Sequence, residues 1–442
     1  MASNLRDSTS NNLKPIMKQI NIAIAGLGIV GSGVYEILTK QIDLLNKRSK
    51  NKINLMAVSS RSTKDFVDVS KIKFYQNPLD LADDKNTDVI VETIGGADGV
   101  ALELCKKSLQ NKKHYITANK AMIATHGLEL LKLAEQNNVA LVFEASVAGA
   151  IPVIKTLKEG LAANQISKIY AILNGTCNYI LTKMEDDEAS FDDALKQAQK
   201  LGYAEADPTF DIEGVDTAHK IAILSAIAKN SVVTLDKMHI EGITKISLFD
   251  IKSAKEFGYK IKLFGVFEDL GNGQIKQAVY PCLISCKQNI ANVGDSFNAI
   301  LSLGNNCDWN LQVGRGAGSK TTASAIVADI IDIANDRFST PFGVDSGQLS
   351  TVEIADVGAR EGGYYLRFVA EKQFAKESGF IKNIFADNLL EQTTIEEIDE
   401  DKIIYGLKIV KISEQEINSC VQKITAHQQI SQLNLIRIEE IF

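Results

Sequence analysis

The chain runs to 442 residues, too long for one ordinary domain, so two or three are expected. Its 45% hydrophobic and 23% charged content is that of a soluble globular protein, and the net charge of -7 argues against general affinity for nucleic acid or acidic membranes. No apolar run approaches the roughly 20 residues that span a bilayer. The cysteines are scattered and no His/Cys set has zinc spacing, which points to a reduced, cytoplasmic, zinc-free protein.

Residues 1–18 are polar and Asn/Ser-rich, with no signal core, and read as a disordered tail. Ile20 to Ala25 is a short apolar strand, followed by Gly26-Leu-Gly28-Ile29-Val30-Gly31 and then by Val34, Ile37 and Leu38 at helical spacing. Between a strand and a helix, this Gly-x-Gly-x-x-Gly turn reads as a dinucleotide site. Gly26 permits the tight turn, Gly28 lets the backbone approach a pyrophosphate, and Gly31 lets helix and strand pack closely.

Ile53 to Val58 forms the next strand and ends at Ser59-Ser60-Arg61-Ser62. An NAD-specific site usually has Asp or Glu there for the ribose 2′-hydroxyl. Arg61 suits a 2′-phosphate instead, which favours NADP while leaving NAD open, unless Arg61 is merely solvated. The strand Asp88 to Glu92 ends at Thr93, which faces the ligand from a strand's carboxyl end. A helix over 99–110 leads to a strand over 114–117 and then to Lys120. Lys120 is either a surface loop lysine or an electrostatic and acid/base partner in the site. A fifth strand over 139–144 runs into a turn of small residues, whose carbonyls can converge with Glu144 on a hard cation. The dinucleotide-binding domain is thus expected over 19–151, with 318–340 returning to it.

From 152 to 317 a second, α+β unit is expected, with a helix over 153–163, a strand over 166–173 and a helix over 191–201. Cys177 has no basic neighbour in sequence and reads as structural. The chain's most informative stretch is 202–224, where Glu205, Asp207, Asp211 and Glu213 crowd a loop before a helix that opens near Gly214. Asp216 and Lys220, four apart, stack on one face of that helix. As a surface salt bridge the pair would contribute about 0.3–0.5 kcal/mol. A surface stripe would continue polar, but this one continues into Ile223 and Ile227. A buried lysine beside an acidic loop is better read as a proton donor in a cleft that also holds a cationic amine.

Strand-like runs follow at 261–267 and 278–284, then a Gly-rich turn over 314–318 that opens an apolar helix over 323–334. The turn does not match the triphosphate-binding pattern, so Gly316 and Gly318 are expected to approach the dinucleotide. Residues 341–360 read as a linker, and 361–442 follow the β-α-β-β-α-β order of a ferredoxin-like unit.

Gly26-Leu-Gly-Ile-Val-Gly31, Thr117-Ala-Asn-Lys120, Glu144-Ala-Ser-Val147, Asn174-Gly-Thr-Cys-Asn-Tyr179 and Gly202-Tyr-Ala-Glu-Ala-Asp-Pro208 through Ala218-His-Lys220 together resemble homoserine dehydrogenase. The resemblance covers about residues 20–360, and the tail is similar to the ACT domain of many members. It implies an α/β Rossmann domain, an α+β catalytic and dimerisation domain, and a ferredoxin-like ACT domain. The implied reaction is the reversible NAD(P)H-dependent reduction of L-aspartate 4-semialdehyde to L-homoserine. By the resemblance Lys220 is the acid/base and Lys120 assists it. Glu205 and Asp216 contact the substrate amino group, supported by Asp211, while Gly202 and the Gly316–Gly318 turn approach the cofactor. Glu144, Val147, Gly149 and Ile151 are implied to bind a monovalent cation, usually sodium. A homodimer or homotetramer is implied as well, with threonine as effector of the ACT-like domain. One departure bears on that last point: the turn over 370–379 lacks the family's Pro-Gly pair, which puts threonine feedback in doubt.

Two other readings compete. One is a reductase of another amino-acid aldehyde or imine, and the other is a dinucleotide-binding sensor without catalysis. The Lys120/Lys220 pair beside the Glu205 loop argues against both. The five histidines form no ligand cluster in sequence, and His219 reads as helix packing.

Overall fold

The computed structural model describes residues 18–376, 384–385 and 390–441. The expected disordered tail lies almost wholly outside them. Six parallel strands, β1 (Gln19–Ala25), β2 (Lys52–Ser59), β3 (Lys73–Tyr75), β4 (Val89–Glu92), β5 (His114–Thr117) and β6 (Leu141–Val142), form the first sheet. Their order is β3-β2-β1-β4-β5-β6. Both faces are covered, so the strands are apolar throughout. On β1, Ile22 and Ile24 pack with the helices Ile29–Lys40 and Ser319–Ala334, while Ala23 and Ala25 point to the face holding Val100–Gln110 and Lys120–Asn137. The strand order reverses between β1 and β4, and ligands bind at the carboxyl ends of such a switch point.

The fifth expected strand over 139–144 is shorter, only Leu141–Val142, because the Glu144 N–H donates to Asp329 Oδ2 (3.2 Å) and the chain turns at Glu144–Ser146. The helix expected over 153–163 also ends early, widening into a π turn at Thr156–Gly160.

The second sheet holds β7 (Ile166–Ile172), β8 (His239–Ile240), β9 (Tyr259–Gly271), β10 (Gln274–Ser285), β11 (Phe297–Gly304), β12 (Asp308–Arg315) and β13 (Glu353–Ile354). It continues without a break into β14 (Glu361–Glu371), β15 (Leu390–Glu397), β16 (Lys402–Ser413) and β17 (Ile430–Glu439). The main path is β12-β11-β7-β9-β10-β17-β14-β16-β15, with β8 and β13 pairing onto β10. The last four strands follow the ferredoxin-like order, and the helix Glu414–Thr425 completes the described part of that unit. The first helix of that β-α-β-β-α-β order, read in the sequence over 379–386, lies largely outside the described residues, which show a short helix at Lys372–Lys376.

Sequence suggested a separate C-terminal unit on a linker, and two features differ. Strand β17 pairs in parallel with β10, matching Cys282 to Arg437 and Ile284 to Glu439. The seam is ionic and buried: Arg437 donates to Glu414 (2.6 Å) and Glu241 (2.9 Å), and Glu439 accepts from Tyr280 (2.8 Å) and Arg360 (3.3 Å). The stretch expected as a linker is docked, because Phe342 is buried against Phe143 with ring centroids 5.4 Å apart and β13 adds to β10.

One buried group makes stability depend on pH. Lys262 on β9 donates only to Asn178 Oδ1 (3.1 Å) and the Val293 carbonyl (2.9 Å), and has no carboxylate partner among the described residues. Burial pushes its ammonium down to about 8, with Glu185 opposing. Because the folded-state value is depressed, the folded chain holds fewer protons than the unfolded one between about 8 and 10.5. The buried charge therefore costs stability below about 8, and that cost fades as pH rises through this window. Lys262→Met is expected to raise Tm at pH 7 by about 3 °C, the shift for roughly 1 kcal/mol in a large domain. Thermal melts from pH 7 to 10 check this, since the gain over wild type must shrink as pH rises. A gain independent of pH would sink the idea.

Candidate active site

The helix Val215–Lys229 is buried over most of its length, which is why Asp216 and Lys220 are inside and not on the surface. Lys220 Nζ donates to Asp216 Oδ2 (2.6 Å) and to the Leu173 carbonyl at the end of β7 (2.8 Å). Lys120, the first residue of the helix Lys120–Asn137, reaches Asp216 Oδ1 from the dinucleotide-binding side (3.1 Å). One buried carboxylate thus bridges two ammonium groups from two domains. Burial raises the Asp216 carboxyl, but Lys220, Lys120 and the hydrogen bonds outweigh it and hold it well below the carboxylate range. Asp211 goes the other way, because burial and the nearby Asp216 charge push it up. Lys120 also lies over the Phe210 ring, 5.5 Å from its centroid.

Asn174 joins these parts, and sequence reasoning gave it no role. Its amide donates to Asp211 Oδ1 (2.7 Å) and Asp216 Oδ2 (3.0 Å), while its carbonyl caps the helix Gly175–Asp186 at Cys177 N–H (2.8 Å). The available signal was the capping residue before that helix. Glu205 lies on the exposed loop that precedes Asp211, its backbone carbonyl held by Gln199 (3.1 Å) and its side chain in solvent. Gly202 sits in the same exposed loop. Burial pushes the Cys177 thiol well up, and Cys177 Sγ donates to the Asp211 carbonyl (3.2 Å), in keeping with a structural role. His219 is lowered by burial and by Lys120, and its ring meets Phe210 edge-on, 5.7 Å away.

The Gly26–Gly31 turn stands at the carboxyl end of β1. Gly26 has φ +96°, and a Cβ on Gly31 would lie 1.9 Å from the Gly26 carbonyl oxygen. Gly28 begins the helix Ile29–Lys40 with open space before it, and Ile29 is 77% exposed, so the helix N-terminus is bare for an anionic group. Val30 is half-buried behind it. Thr93 spends its hydroxyl on the Gly26 carbonyl (2.9 Å), so its side chain supports the turn and does not reach outward. Arg61 is exposed at the end of β2, with no ion pair among the described residues. The Gly316–Gly318 turn packs on the first domain: a Cβ on Gly149 would lie 2.5 Å from the Gly316 carbonyl oxygen, and Ser319 donates to the Ile29 carbonyl (2.7 Å).

Glu144 is buried, and its carboxylate accepts from Ile154 N–H (2.9 Å) and Lys155 N–H (2.8 Å). The carbonyls of Val147 and Gly149 accept no hydrogen bond among the described residues, whereas that of Ile151 accepts from Val153 N–H (2.8 Å). No cluster of three or more His, Cys, Asp or Glu with metal-site geometry occurs among the described residues, and no described helix is long and apolar enough to cross a membrane.

A parallel sheet with a bare glycine turn, two lysines and a shared aspartate suits hydride transfer with a proton donor. Comparison with known proteins agrees. Residues 152–331 match the family model for homoserine dehydrogenase, and residues 26–144 match that for the homoserine dehydrogenase NAD binding domain. The homoserine dehydrogenase of Neisseria gonorrhoeae is 40% identical over 397 residues, 86% of this chain and 91% of the relative. That of Helicobacter pylori is 43% identical over 336 residues, 75% of this chain and 77% of the relative. The crystal structure of a homoserine dehydrogenase from Thiobacillus denitrificans superposes with TM-score 0.86 at 37% identity, covering 96% of this chain and 99% of that one. A hyperthermophilic archaeal homoserine dehydrogenase in complex with NADPH superposes with TM-score 0.62 at 26% identity, covering 73% and 99%. The chain belongs to the homoserine dehydrogenase family, the NAD(P)-dependent oxidoreductases that interconvert L-aspartate 4-semialdehyde and L-homoserine.

Proposed function

We propose that Lys220 is the acid/base of this reaction and that Lys120 is its partner, with NADP the preferred cofactor. The observation that carries this is the sharing of Asp216 by both lysines. An ammonium has three N–H donors, and Lys220 spends two, on Asp216 and the Leu173 carbonyl. The third remains for the substrate's aldehyde oxygen. The nicotinamide, when bound, supplies the hydride. Lys220 Nζ delivers a proton to that oxygen as negative charge builds on it, and takes it back in the reverse direction. Lys120 stabilises the same developing charge from the opposite side. Asp216 keeps both cations balanced in a buried site, and with Glu205 it meets the substrate's ammonium, while Asp211 stands behind through Asn174.

The bare Gly28 helix start, the Gly316–Gly318 turn packed beside it and the exposed Gly202 loop support the cofactor assignment. Arg61 supports NADP, because an unpaired guanidinium at that strand end meets a 2′-phosphate and has nothing to meet in NAD. Arg61→Ser is expected to raise KM for NADPH about tenfold, the size of one charge-assisted hydrogen bond, with KM for NADH unchanged. Initial rates of semialdehyde reduction with each cofactor check both this and the activity itself. Equal losses with both cofactors would refute the 2′-phosphate contact.

A monovalent cation, sodium by the family resemblance, fits the free carbonyls of Val147 and Gly149 together with Glu144 and Ile151. There it would brace the turn that packs on Gly316. The chain is further read as a cytoplasmic homodimer or homotetramer. Its C-terminal unit is read as an ACT-like regulatory domain with threonine as candidate effector. The continuous hydrogen bonding from β10 into β17 supports regulation through the sheet, since a shift in that unit reaches the catalytic strands directly.

A further inference from the structure

Glu92 ends β4 fully buried, with no ion-pair partner among the described residues. Its Oε1 accepts the backbone N–H groups of Ile94 (2.5 Å) and Gly95 (2.8 Å), and its Oε2 accepts the Thr117 hydroxyl (2.5 Å). Thr117 Oγ1 in turn accepts the Asn119 N–H (2.9 Å). Asn119 caps the next helix by accepting Met122 N–H (3.1 Å), and its amide donates to the Gly96 carbonyl (2.6 Å). The bonds close a ring that joins the loop after β4, which faces the cofactor, to the start of the helix that carries Lys120.

The polarity of this ring is fixed. Backbone N–H groups only donate and a carboxylate only accepts, so Glu92 as a carboxylate accepts at every contact, and the Asn119 N–H finds its acceptor at residue 117. The group at 117 therefore has to donate and accept at once. A hydroxyl does both, and an alkyl group of the same shape does neither. Satisfying a buried carboxylate would need only the two backbone donors and a third partner anywhere. Here the third partner is the residue whose oxygen holds the turn leading to Lys120.

We infer that Thr117, with Glu92 and Asn119, forms a positioning relay that sets Lys120 against Asp216. This inference rests on the reading of Lys120 as a participant in the reaction. Thr117→Val keeps shape and removes the hydroxyl, and is expected to lower kcat about tenfold with NADPH affinity, read by fluorescence titration, within about twofold of wild type. Thr117→Ser keeps the hydroxyl but loses a buried methyl, so its Tm falls while kcat is restored to within about twofold. Placed on top of Lys120→Ala, Thr117→Val is expected to lower kcat no further, because the lysine it serves is gone. Asn119→Asp is a second, independent cut: it keeps the helix cap, loses the donor to Gly96, and is expected to give the same loss of kcat.

The relay is overturned if Thr117→Val turns over like wild type, if Thr117→Ser is as slow as Thr117→Val, or if the losses multiply in the double variant. An inactive Lys120→Ala beside a fully active Thr117→Val would remove the relay alone. A fully active Lys120→Ala would remove the reading of Lys120, and the relay with it.

Discussion

Lys220→Ala is expected to lower kcat by about 10³-fold while NADPH still binds, the loss typical of removing a positioned proton donor. The fold should survive, since Asp216 keeps Lys120 (3.1 Å) and Asn174 (3.0 Å), and the Leu173 carbonyl keeps the amide of Asn298 (3.0 Å). Lys220→Arg separates proton transfer from charge. Arginine restores the positive charge beside Asp216 but does not release a proton near neutral pH, so it should remain almost as slow as alanine. Single-turnover absorbance at the NADPH band with L-aspartate 4-semialdehyde reads the chemical step directly. If Lys220→Arg recovers most of the rate, Lys220 acts through its charge alone. If Lys220→Ala is within threefold of wild type, the Asp216–Lys220 pair is only a structural ion pair.

What could be read in the sequence was what repeats locally. The glycine turn, much of the alternation of strands and helices, and the Asp216–Lys220 spacing each follow from a short-range period, and the turn and the pair are found where expected. The bridging role of Asp216 was not legible, because Lys120 reaches it from another domain and no period links distant segments. Asn174 meets Asp211 and Asp216 from 37 and 42 residues away, and showed itself only as a helix cap. Glu92 looked like the last residue of an apolar strand, and its partners belong to the next strand and the loop beyond it. The fusion of β17 to β10 was hidden for the same reason: each strand has an ordinary apolar pattern, and their pairing is a tertiary choice. Strands β11 and β12 lie outside the expected elements, next to the more conspicuous glycine turn that follows them.

Asp216→Asn is expected to destabilise the chain by about 3–5 kcal/mol, the cost of removing one partner from a buried ion pair, and to reduce kcat at least as far as Lys220→Ala. The amide is nearly isosteric, so no cavity opens and the whole effect is electrostatic. Its single acceptor oxygen can serve only one lysine, and its N–H₂ then faces the other donor. Buried Lys220 and half-buried Lys120 are left with no shared counter-charge. Their origin in different domains adds a testable consequence. Asp216→Asn should loosen the closure of the dinucleotide-binding domain onto the catalytic sheet: Lys220, with its side chain 11% exposed, bears the larger desolvation cost, and a smaller part of the loss comes from Lys120, which is 29% exposed. Removing that cation as well, in Asp216→Asn with Lys120→Met, should recover part of the lost stability, a coupling that a thermal-melt double-mutant cycle measures. If the two changes simply add, Asp216 does not balance Lys120. Full stability of Asp216→Asn would mean that the lysines find other partners, and the shared-carboxylate account of the site would fail with it.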